Sequence, residues 1–405
     1  MSEGLLSVDE ARERLLAGAR AVGEIETVPT TDAVGRVLAQ SQSSTLDVPP
    51  LANTSMDGYA VRAADCVSGS ARLPVAQRIA AGAIGAPLAP STAARIFTGA
   101  PIPPGADAVV PQEQCEVVGD DVLVKHAPKA GDWIRRAGED IRAGSTILES
   151  GHRLRAQEAG LAASVGLARL PVYRKLSVAL FSTGNELVMP GEPLPPGAIY
   201  NSSRFTLTGL LRMLGCEVVD LGIVPDTLDA TRAALRAAAS SDVIITSGGV
   251  SVGDEDHVKP AVTAEGRLDL WRIALKPGRP LAFGAVRRPD GSEASFIGLP
   301  GNPVSSFVTF VLFVRPFILR SQGVRDVAIR AHPARADFDW PKPDARREFL
   351  RARFNRDGGL DLFPNQSSGV LTSTVWGDGL LDNPAKHPIR RGDTVNFLPF
   401  SELLY

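Results

Sequence analysis

Residues 176–182 read LSVALFS, and three runs of the same kind follow: CEVVDLGIV (216–224), DVIITSGG (242–249) and ASFIGLPG (294–301). Each run is apolar, rich in β-branched residues and closed by small residues, as expected for strands that are buried on both faces. Segments with helical periodicity accompany them: SSRFTLTGLLRMLG (202–215), TRAALRAAAS (231–240) and PVSSFVTFVLFVRPFIL (303–319). Alternating strands and helices of this kind predict an α/β domain with a parallel sheet.

The segments on either side of this region have different patterns. Ser7-Val8-Asp9-Glu10 is a capping box that predicts a helix over residues 8–19, and residues 24–44 look extended. Residues 45–145 are rich in Gly, Pro and Val and contain short β-like runs, which predicts a mostly β insert. Residues 147–172 return to helical character, and short alternating segments after residue 325 predict a small β domain.

Length and composition limit the class of protein. A chain of 405 residues exceeds one compact core and predicts two to four domains. The formal net charge of −2 gives no indication of a nucleic-acid or membrane-surface partner. Three scattered cysteines and a start without a signal-peptide pattern favour a reducing cytoplasm. The apolar run 304–319 contains Arg315 and Pro316, so we expect a buried helix and no membrane span.

The ends of the predicted strands carry the polar motifs, and ligands bind at this edge of a parallel sheet. After the first strand comes STGNEL (182–187), whose turn exposes N–H groups for an anion and places Glu186 toward the same crevice. An ordinary turn with a helix-start acid explains Glu186 equally well. The segment SGGVSVGDEDH (247–257) follows another strand, and its three acids suit Mg²⁺ unless they form a solvated loop.

The same segment supports a rival interpretation. Gly249-Val250-Ser251-Val252-Gly253 fits the nucleophile elbow of α/β serine hydrolases, with Asp269 or Asp344 and His387 as the later triad members. The glycine pair before the motif and the acids after it do not favour a Ser–His pair. No oxyanion motif of the HGGG type is present. We therefore rank a hydrolase second.

Cations and hydroxyls gather in later segments. RIALKPGRP (272–280) contains Lys276 and Arg279, which suit a tetrahedral oxyanion or a phosphate. LPGNPVSS (299–306) opens a helix whose N-terminus suits an anion, although a well-capped helix explains it equally well. Five arginines crowd residues 346–356, and NQSSG (365–369) follows them. Taken singly, these two segments and NTSMDGYA (53–60), FTGAP (97–101) and RRAGEDI (135–141) are ordinary polar turns or surface.

Considered together, the motifs carry a family resemblance. The ordered set is NTSMDGYA, RIFTGAPIP, IRRAGEDI, STGNEL, TSGGVSVGDEDHV, ALKPGRP, LPGNPVSS and NQSSG. This set, over about residues 5–400, resembles the bacterial molybdopterin molybdenumtransferase family, which includes the C-terminal region of gephyrin and the plant insertase domain. The resemblance implies a multidomain α/β fold. Its parts are an elongated N-terminal, dimerising domain (1–44 with 147–177), an inserted β-rich domain (45–146), a three-layer α/β domain with a parallel-rich sheet that binds molybdopterin (178–325) and a C-terminal β-barrel-like domain (326–405).

The resemblance also implies an activity and a set of site residues. The expected reaction is Mg²⁺-dependent insertion of molybdate into adenylylated molybdopterin, with release of AMP and the molybdenum cofactor. A cytoplasmic homodimer with its site between subunits is expected, with the pterin adenylyltransferase and recipient molybdoenzymes as further partners. The implied catalytic residues are Asp57, Thr98, Asp140, Glu186, Asp226 and Asp256, of which Glu186 and Asp256 hold the metal. The implied substrate-binding residues are Ser251, Lys276, Arg279, Pro280, Ser305, Arg346, Arg351 and Ser368.

A protein without catalytic activity is a third possibility, because gephyrin-like proteins also cluster receptors. The sequence shows no long linker or appended domain that such a scaffold would use. We therefore expect an enzyme.

Overall fold

The structure, a computed structural model, describes residues 5–250, 257–278 and 280–404. The first part of the chain contains one helix and the strands of two small β units. The elements, in order, are α1 (Val8–Ala17), β1 (Ile25–Pro29), β2 (Gln42–Ser43), β3 (Asn53–Thr54), β4 (Gly58–Val61), β5 (Ala71–Ile79), β6 (Ala93–Ile96), β7 (Ala108–Pro111), β8 (Cys115–Val118), β9 (Asp121–Val124) and β10 (Ile134–Arg135). Strands β4 to β9 form a six-stranded sheet in the order β7-β4-β6-β5-β9-β8, so the β-rich insert is confirmed.

The elongated part is built from two distant segments of the chain. After the insert come β11 (Thr146–Leu148), α2 (Ala156–Ser164) and β12 (Arg169–Tyr173). Strand β1 pairs with β12 and β2 pairs with β11, both antiparallel, which closes the insert at its base. The helix expected over 147–172 is therefore wrong except for α2. Pairing with β1 and β2 overrides the helical propensity of the flanking residues.

Helix α1 packs in a different place from the one expected. Its capping box is confirmed, because Ser7 Oγ accepts from the Glu10 N–H at 3.2 Å and the Glu10 carboxylate accepts from the Ser7 N–H at 2.9 Å. Val8, Ala11 and Leu15 are buried in the main core of the α/β domain, where α1 contacts the helix of residues 303–321. Helix α1 therefore packs against the α/β domain, whereas the sequence grouped residues 1–44 with the elongated domain. Its apolar stripe is covered by the α/β domain.

The α/β domain follows. Its elements are β13 (Ser177–Thr183), β14 (Leu187–Val188), β15 (Ile199–Tyr200), α3 (Ser202–Met213), β16 (Glu217–Val224), α4 (Leu228–Ala238), β17 (Val243–Ser247), α5 (Val258–Glu265), β18 (Gly266–Arg272), β19 (Leu275–Lys276), β20 (Pro280–Arg287), β21 (Glu293–Leu299), α6 (Pro303–Thr309) and α7 (Arg315–Ser321). The main sheet has the order β16-β13-β17-β21-β20-β18. Its first four strands are parallel, β20 pairs antiparallel with β21 and β18 pairs antiparallel with β20, so the parallel-rich sheet is confirmed.

The apolar segment after β21 is a buried helix, as expected. Residues 303–321 are long and apolar enough to cross a membrane, but the segment is almost entirely buried inside the protein. A π-helical stretch, Phe310–Val314, joins α6 to α7, and its five side chains are all buried. The helix therefore serves as the apolar centre of the α/β domain.

The C-terminal domain is a second sheet that borrows a strand. Its own elements are β22 (His332–Arg335), β23 (Arg347–Phe354), β24 (Leu360–Leu362), α8 (Thr372–Trp376), β25 (Gly379–Asn383), β26 (Thr394–Pro399) and α9 (Phe400–Leu403). The sheet has the order β19-β23-β25-β26-β22, with β24 paired to β23. Strand β19, which the sequence places in the α/β domain, thus pairs parallel with β23. This connection brings the two domains together at the carboxyl edge of the main sheet.

Candidate functional site

A cavity of about 1000 Å³ lies where the carboxyl ends of β13, β17 and β21 meet the C-terminal domain. Seven of the residues expected from the sequence line it: Glu186, Asp226, Lys276, Pro280, Ser305, Arg346 and Ser368. The strand-end rule for parallel sheets explains the first two, because β13 and β16 are neighbours. The later five depend on how the loops after β18 and β21 fold back and on the borrowed strand β19.

The turn after β13 carries an uncommitted carboxylate. Gly184 has φ of +144°, a conformation that favours glycine, and a Cβ there would lie 2.7 Å from Glu186 Oε2. The Glu186 side chain is exposed and has no hydrogen-bond or ion-pair partner among the described residues. A carboxylate held over a glycine turn, at the mouth of a cavity, is available to a cation or a ligand.

Asp226 supplies a second uncommitted oxygen. It follows β16, and its backbone N–H donates to Asn185 Oδ1 at 3.2 Å, which ties this loop to the turn after β13. Its Oδ1 atom is buried and has no hydrogen-bond partner among the described residues. Buried polar atoms are normally paired, so an orphaned carboxylate oxygen in a cavity wall indicates a missing ligand.

The glycines after β17 let two strand ends pack together. Gly248 has φ of +92°, and a Cβ there would lie 2.7 Å from the Thr183 carbonyl oxygen. The Gly248 N–H donates to the Leu299 carbonyl at 3.0 Å, which joins this loop to the end of β21. The sequence predicts glycines here so that a ligand can approach the backbone closely. The structure shows that the close packing of the backbone at Gly248 against Thr183 also requires glycine.

Hydroxyl groups on the cavity floor were missed from the sequence. Thr183 and Ser247 line the cavity at the ends of β13 and β17. Ser247 Oγ lies 2.8 Å from Ser182 Oγ, whereas Thr183 Oγ1 is buried and has no partner in the part of the chain that the structure describes. The sequence does contain a sign of these cavity residues. Each is a hydroxyl residue at the last position of a strand buried on both faces, where an apolar residue is otherwise expected.

Lys276 and Arg346 form the cationic part of the wall, and both are already paired. Lys276 Nζ lies 3.3 Å from Asp344 Oδ2 and 3.1 Å from Glu348 Oε1. Arg346 donates to both Asp344 oxygens, at 2.9 and 3.1 Å. The hydrogen bond from Arg346 holds the pKa of Asp344 well below its usual range, and the same bond raises the pKa of Arg346. The four side chains therefore form a compact, internally balanced network.

Arg351 is not a cavity residue, contrary to expectation. It is fully buried, and its guanidinium donates to Ser373 Oγ at 3.0 Å and to the Phe349 carbonyl at 3.2 Å, with a longer bond to the Ser367 carbonyl at 3.4 Å. Burial lowers the pKa of Arg351 to about 10. Alternate residues of β23 point to opposite faces, which separates Arg351 from Arg346. Arg351 supports the loop 365–369 from beneath and does not reach its ligand-facing side.

The expected residues of the insert lie away from this cavity. Asp57 Oδ1 accepts from the Thr98 N–H at 2.8 Å and from Thr98 Oγ1 at 2.7 Å, and these bonds, the backbone bond first, lower the pKa of Asp57. Asp140 lines a separate depression of about 490 Å³ with Arg136 and Arg142. None of Asp57, Thr98 and Asp140 lines the main cavity of the same chain.

Comparisons with known proteins decide the family. Residues 6–166 match the MoeA N-terminal region (domain I and II), residues 179–320 a probable molybdopterin binding domain, and residues 333–400 the MoeA C-terminal region (domain IV). A molybdopterin molybdenumtransferase from Haemophilus influenzae is 38% identical over 99% of this chain and 100% of its own. This chain belongs to the molybdopterin molybdenumtransferase family.

Two further similar proteins support the same family assignment. Molybdopterin molybdenumtransferase 2 from Mycobacterium tuberculosis is 38% identical over 88% of this chain and 90% of its own. A solved MoeA structure from Pyrococcus horikoshii superposes with a TM-score of 0.83 at 28% identity, covering 98% of this chain and 100% of that one. Within this molybdopterin molybdenumtransferase family member, the main cavity draws its lining from the second and third matched regions.

Three expected site residues, Ser251, Asp256 and Arg279, lie outside the described residues. The hydrolase interpretation needs Asp269 or Asp344 with His387, and none of these lines the cavity into which Gly249 and Val250 open. Asp344 is engaged by Arg346 and Lys276. The surroundings therefore do not favour a serine hydrolase.

Within residues 5–250, 257–278 and 280–404, no three His, Cys, Asp or Glu side chains form a metal cluster.

Gly248→Ala should disturb the cavity more than a glycine replacement elsewhere. Gly191 is a matched control, because its φ of +97° is similar and no atom of the described residues lies within 4 Å of the position a Cβ would take there. Both substitutions carry a backbone cost of about 1–2 kcal/mol, but only Gly248→Ala also forces a contact with the Thr183 carbonyl. Thermal unfolding of both variants measures the difference. An equal loss of Tm would show that the strand-end contact is unimportant.

Thr98→Val should raise the pKa of Asp57 only part of the way toward its usual value, because the Thr98 N–H, the larger cause, remains. A depressed carboxyl pKa stabilises the fold above the unfolded-state pKa, and this stabilisation disappears as the pH falls through the folded-state value. The variant should therefore lose slightly less stability on acidification. Carboxyl NMR titration checks the shift, with Thr92→Val, whose hydroxyl bonds Ala89, as control. An unchanged Asp57 pKa would contradict the assignment.

Proposed function

We propose that this chain is a molybdopterin molybdenumtransferase that loads molybdate onto adenylylated molybdopterin in a Mg²⁺-dependent reaction and releases AMP. Family membership makes it an enzyme that transfers molybdenum in molybdenum cofactor biosynthesis. The observation that carries the finer proposal is one cavity that combines uncommitted carboxylates with a lysine and an arginine. We further propose that the enzyme acts in the cytoplasm.

The cationic wall suits the oxyanion substrate. Lys276 and Arg346 face the cavity, and Ser305 and Ser368 add hydroxyl groups nearby. Arginine presents a planar fork to a tetrahedral oxyanion, and lysine a compact charge. Residues held in this way would fix molybdate beside the dithiolene, so that proximity and orientation supply much of the rate.

The proposed reaction needs no covalent bond between the protein and a substrate. Two dithiolene sulfurs form bonds to molybdenum, and one oxo ligand leaves as water with the two thiol protons. One further water splits the phosphoanhydride linkage, which gives AMP and the phosphate of the cofactor. The protein positions two anions and screens their charge, a task for electrostatics more than for a nucleophile.

The carboxylates fit a magnesium ion. Mg²⁺ takes oxygen ligands and usually binds through one or two carboxylates together with substrate phosphates. Glu186 has no partner among the described residues, and the orphaned Oδ1 of Asp226 provides a second oxygen. We propose Glu186 and Asp256 as the protein ligands expected from the sequence, with Asp226 beside them. Bound Mg²⁺ would neutralise charge on the pyrophosphate.

Reconstitution tests this function directly. Purified protein, adenylylated molybdopterin, molybdate and Mg²⁺ are combined, and AMP release and activation of a cofactor-free molybdoenzyme are measured. Glu186→Gln should lower both by about 100-fold, because a neutral amide cannot replace the carboxylate near a cation. Glu149→Gln is the control, since Glu149 is exposed and outside the cavity, and the amide oxygen of glutamine can still accept the hydrogen bond that Ser41 Oγ donates to Glu149 at 3.0 Å.

Removing Mg²⁺ with a chelator should also stop AMP release in the wild type. Full activity of Glu186→Gln would remove this residue from the site. Absence of AMP together with Ser251-dependent cleavage of a simple ester would replace the transferase with the hydrolase.

We also propose a homodimer in which the insert of one chain completes the cavity of the other. This proposal is supported by Asp57, Thr98 and Asp140, which do not line the cavity of their own chain. Mixing two inactive variants, Asp57→Ala and Glu186→Ala, should restore activity, because half of the mixed dimers' sites then carry neither change.

With random subunit exchange, about a quarter of wild-type activity is expected. Each variant alone, incubated in the same way, is the control. No recovery, in a mixture that mass spectrometry shows to contain mixed dimers, would mean that each chain builds its site from its own residues.

A further inference from the structure

One carboxylate contacts both of the cations that the described residues place in the cavity wall. Asp344 accepts two hydrogen bonds from the Arg346 guanidinium, at 2.9 and 3.1 Å, and lies 3.3 Å from Lys276 Nζ. It also accepts from the Arg346 backbone N–H at 3.0 Å. Lys276 and Arg346 line the cavity, whereas Asp344 does not. Asp344 therefore acts on any ligand through these two side chains.

The second carboxylate of the network is fixed. Glu348 is fully buried, and its Oε2 accepts from Trp340 Nε1 at 2.8 Å and from Asn383 Nδ2 at 3.3 Å. Its Oε1 lies 3.1 Å from Lys276 Nζ. Moving Glu348 would leave buried polar groups unpaired, which is costly. Asp344, with a side chain 23% exposed, can turn toward water.

The charges of the network cancel. Lys276 and Arg346 contribute two positive charges, and Asp344 and Glu348 contribute two negative charges. An oxyanion that enters this wall meets cations whose charge is already balanced and whose donors are partly engaged, two of three on Lys276 and three of five on Arg346. It gains full interaction only where it replaces a resident carboxylate, and Asp344 is the one with access to solvent.

We propose that Asp344 is a built-in competitor of the oxyanion substrate: it occupies Arg346 and Lys276 in the empty enzyme and sets the affinity for molybdate. The inference rests on the proposed function, because it takes the oxyanion to bind at these two cations. Asp344 is a positioning residue in this scheme. Its displacement frees the guanidinium fork of Arg346 and one contact of the Lys276 ammonium group, which stays paired with Glu348, and its return helps the anion to leave.

The physical reason for such a competitor lies in turnover. Without Asp344, two cations balanced only by the carboxylate of Glu348 would bind a dianion more tightly and release it more slowly. A carboxylate that is partly solvated lowers this affinity without removing the cations. The depressed pKa of Asp344 keeps it ionised, so the competition persists over the neutral pH range.

The test measures binding of inorganic molybdate to the full-length protein by isothermal titration calorimetry at low ionic strength. Asp344→Asn keeps the shape and an oxygen acceptor for the Arg346 N–H but removes the charge. It should bind molybdate about tenfold more tightly than the wild type, which corresponds to about 1.4 kcal/mol. Asp344→Glu, which keeps the charge, should stay close to the wild type.

Two further variants control the experiment. Asp326→Asn removes an exposed acid whose partner is Arg330, and it should leave molybdate binding unchanged. Asp344→Ser should shift the affinity in the same direction as Asp344→Asn, so that one poorly folded variant does not decide the matter. In the insertion assay, the KM for molybdate should fall in parallel while the KM for adenylylated molybdopterin stays constant.

Each result separates the inference from the proposed function. Equal or weaker molybdate binding by Asp344→Asn and Asp344→Ser would overturn the competitor and show that Asp344 orients Arg346 for the ligand. If no protein binds molybdate in the calorimeter while insertion is intact, the KM for molybdate decides, and an unchanged KM in Asp344→Asn would overturn the competitor. Tighter binding without AMP release in any variant would support the competitor and contradict the transferase.

Discussion

The cavity depends on one short interaction, the pairing of β19 with β23. Strand β19 leaves the main sheet after β18 and joins the C-terminal sheet, where Leu275 pairs with Arg347 and Lys276 with Glu348. Without this pairing, Lys276 would belong to a loop of the α/β domain and Arg346 to a different domain. With it, a lysine and an arginine more than sixty residues apart lie in one cavity wall. The C-terminal domain then faces the carboxyl edge of the main sheet across the cavity.

Much of the α/β domain followed from the sequence, because doubly buried strands and amphipathic helices have distinct patterns. The capping box at Ser7 and Glu10 was also readable, since a cap is decided by residues three apart. The strands around α2 were not foreseen. Their structure comes from pairing with residues 25–29 and 42–43, and local propensity contains no information about such distant partners. The same limit explains α1, whose apolar stripe did not indicate which domain would cover it.

The site was predictable where chemistry follows a strand end and unpredictable where it depends on side-chain direction. Glu186 and Asp226 were expected from their motifs and lie in the cavity. Arg346 was the preferred candidate in an arginine-rich segment and Arg351 the second, and only the structure shows that Arg346, just before β23, lines the cavity while Arg351 is buried beneath a loop. The pairing of both wall cations with Asp344 was also invisible, because a local Asp-x-Arg spacing says nothing about a lysine from another domain.

The position of α1 has a consequence for how the protein is made on the ribosome. Leu6 forms a parallel bridge with Ile273, and Asp9 pairs with Arg347 at 2.9 Å, so the first and last matched regions of the chain meet on the segment that holds β19. Synthesis proceeds from the N-terminus, and domains fold largely as units while the chain emerges. Helix α1 is therefore synthesised first, and all of its contacts can form only after the insert and the α/β domain have been synthesised. The cavity wall is one of the last parts of the molecule to be completed, which delays any ligand site until nearly the whole chain has been translated.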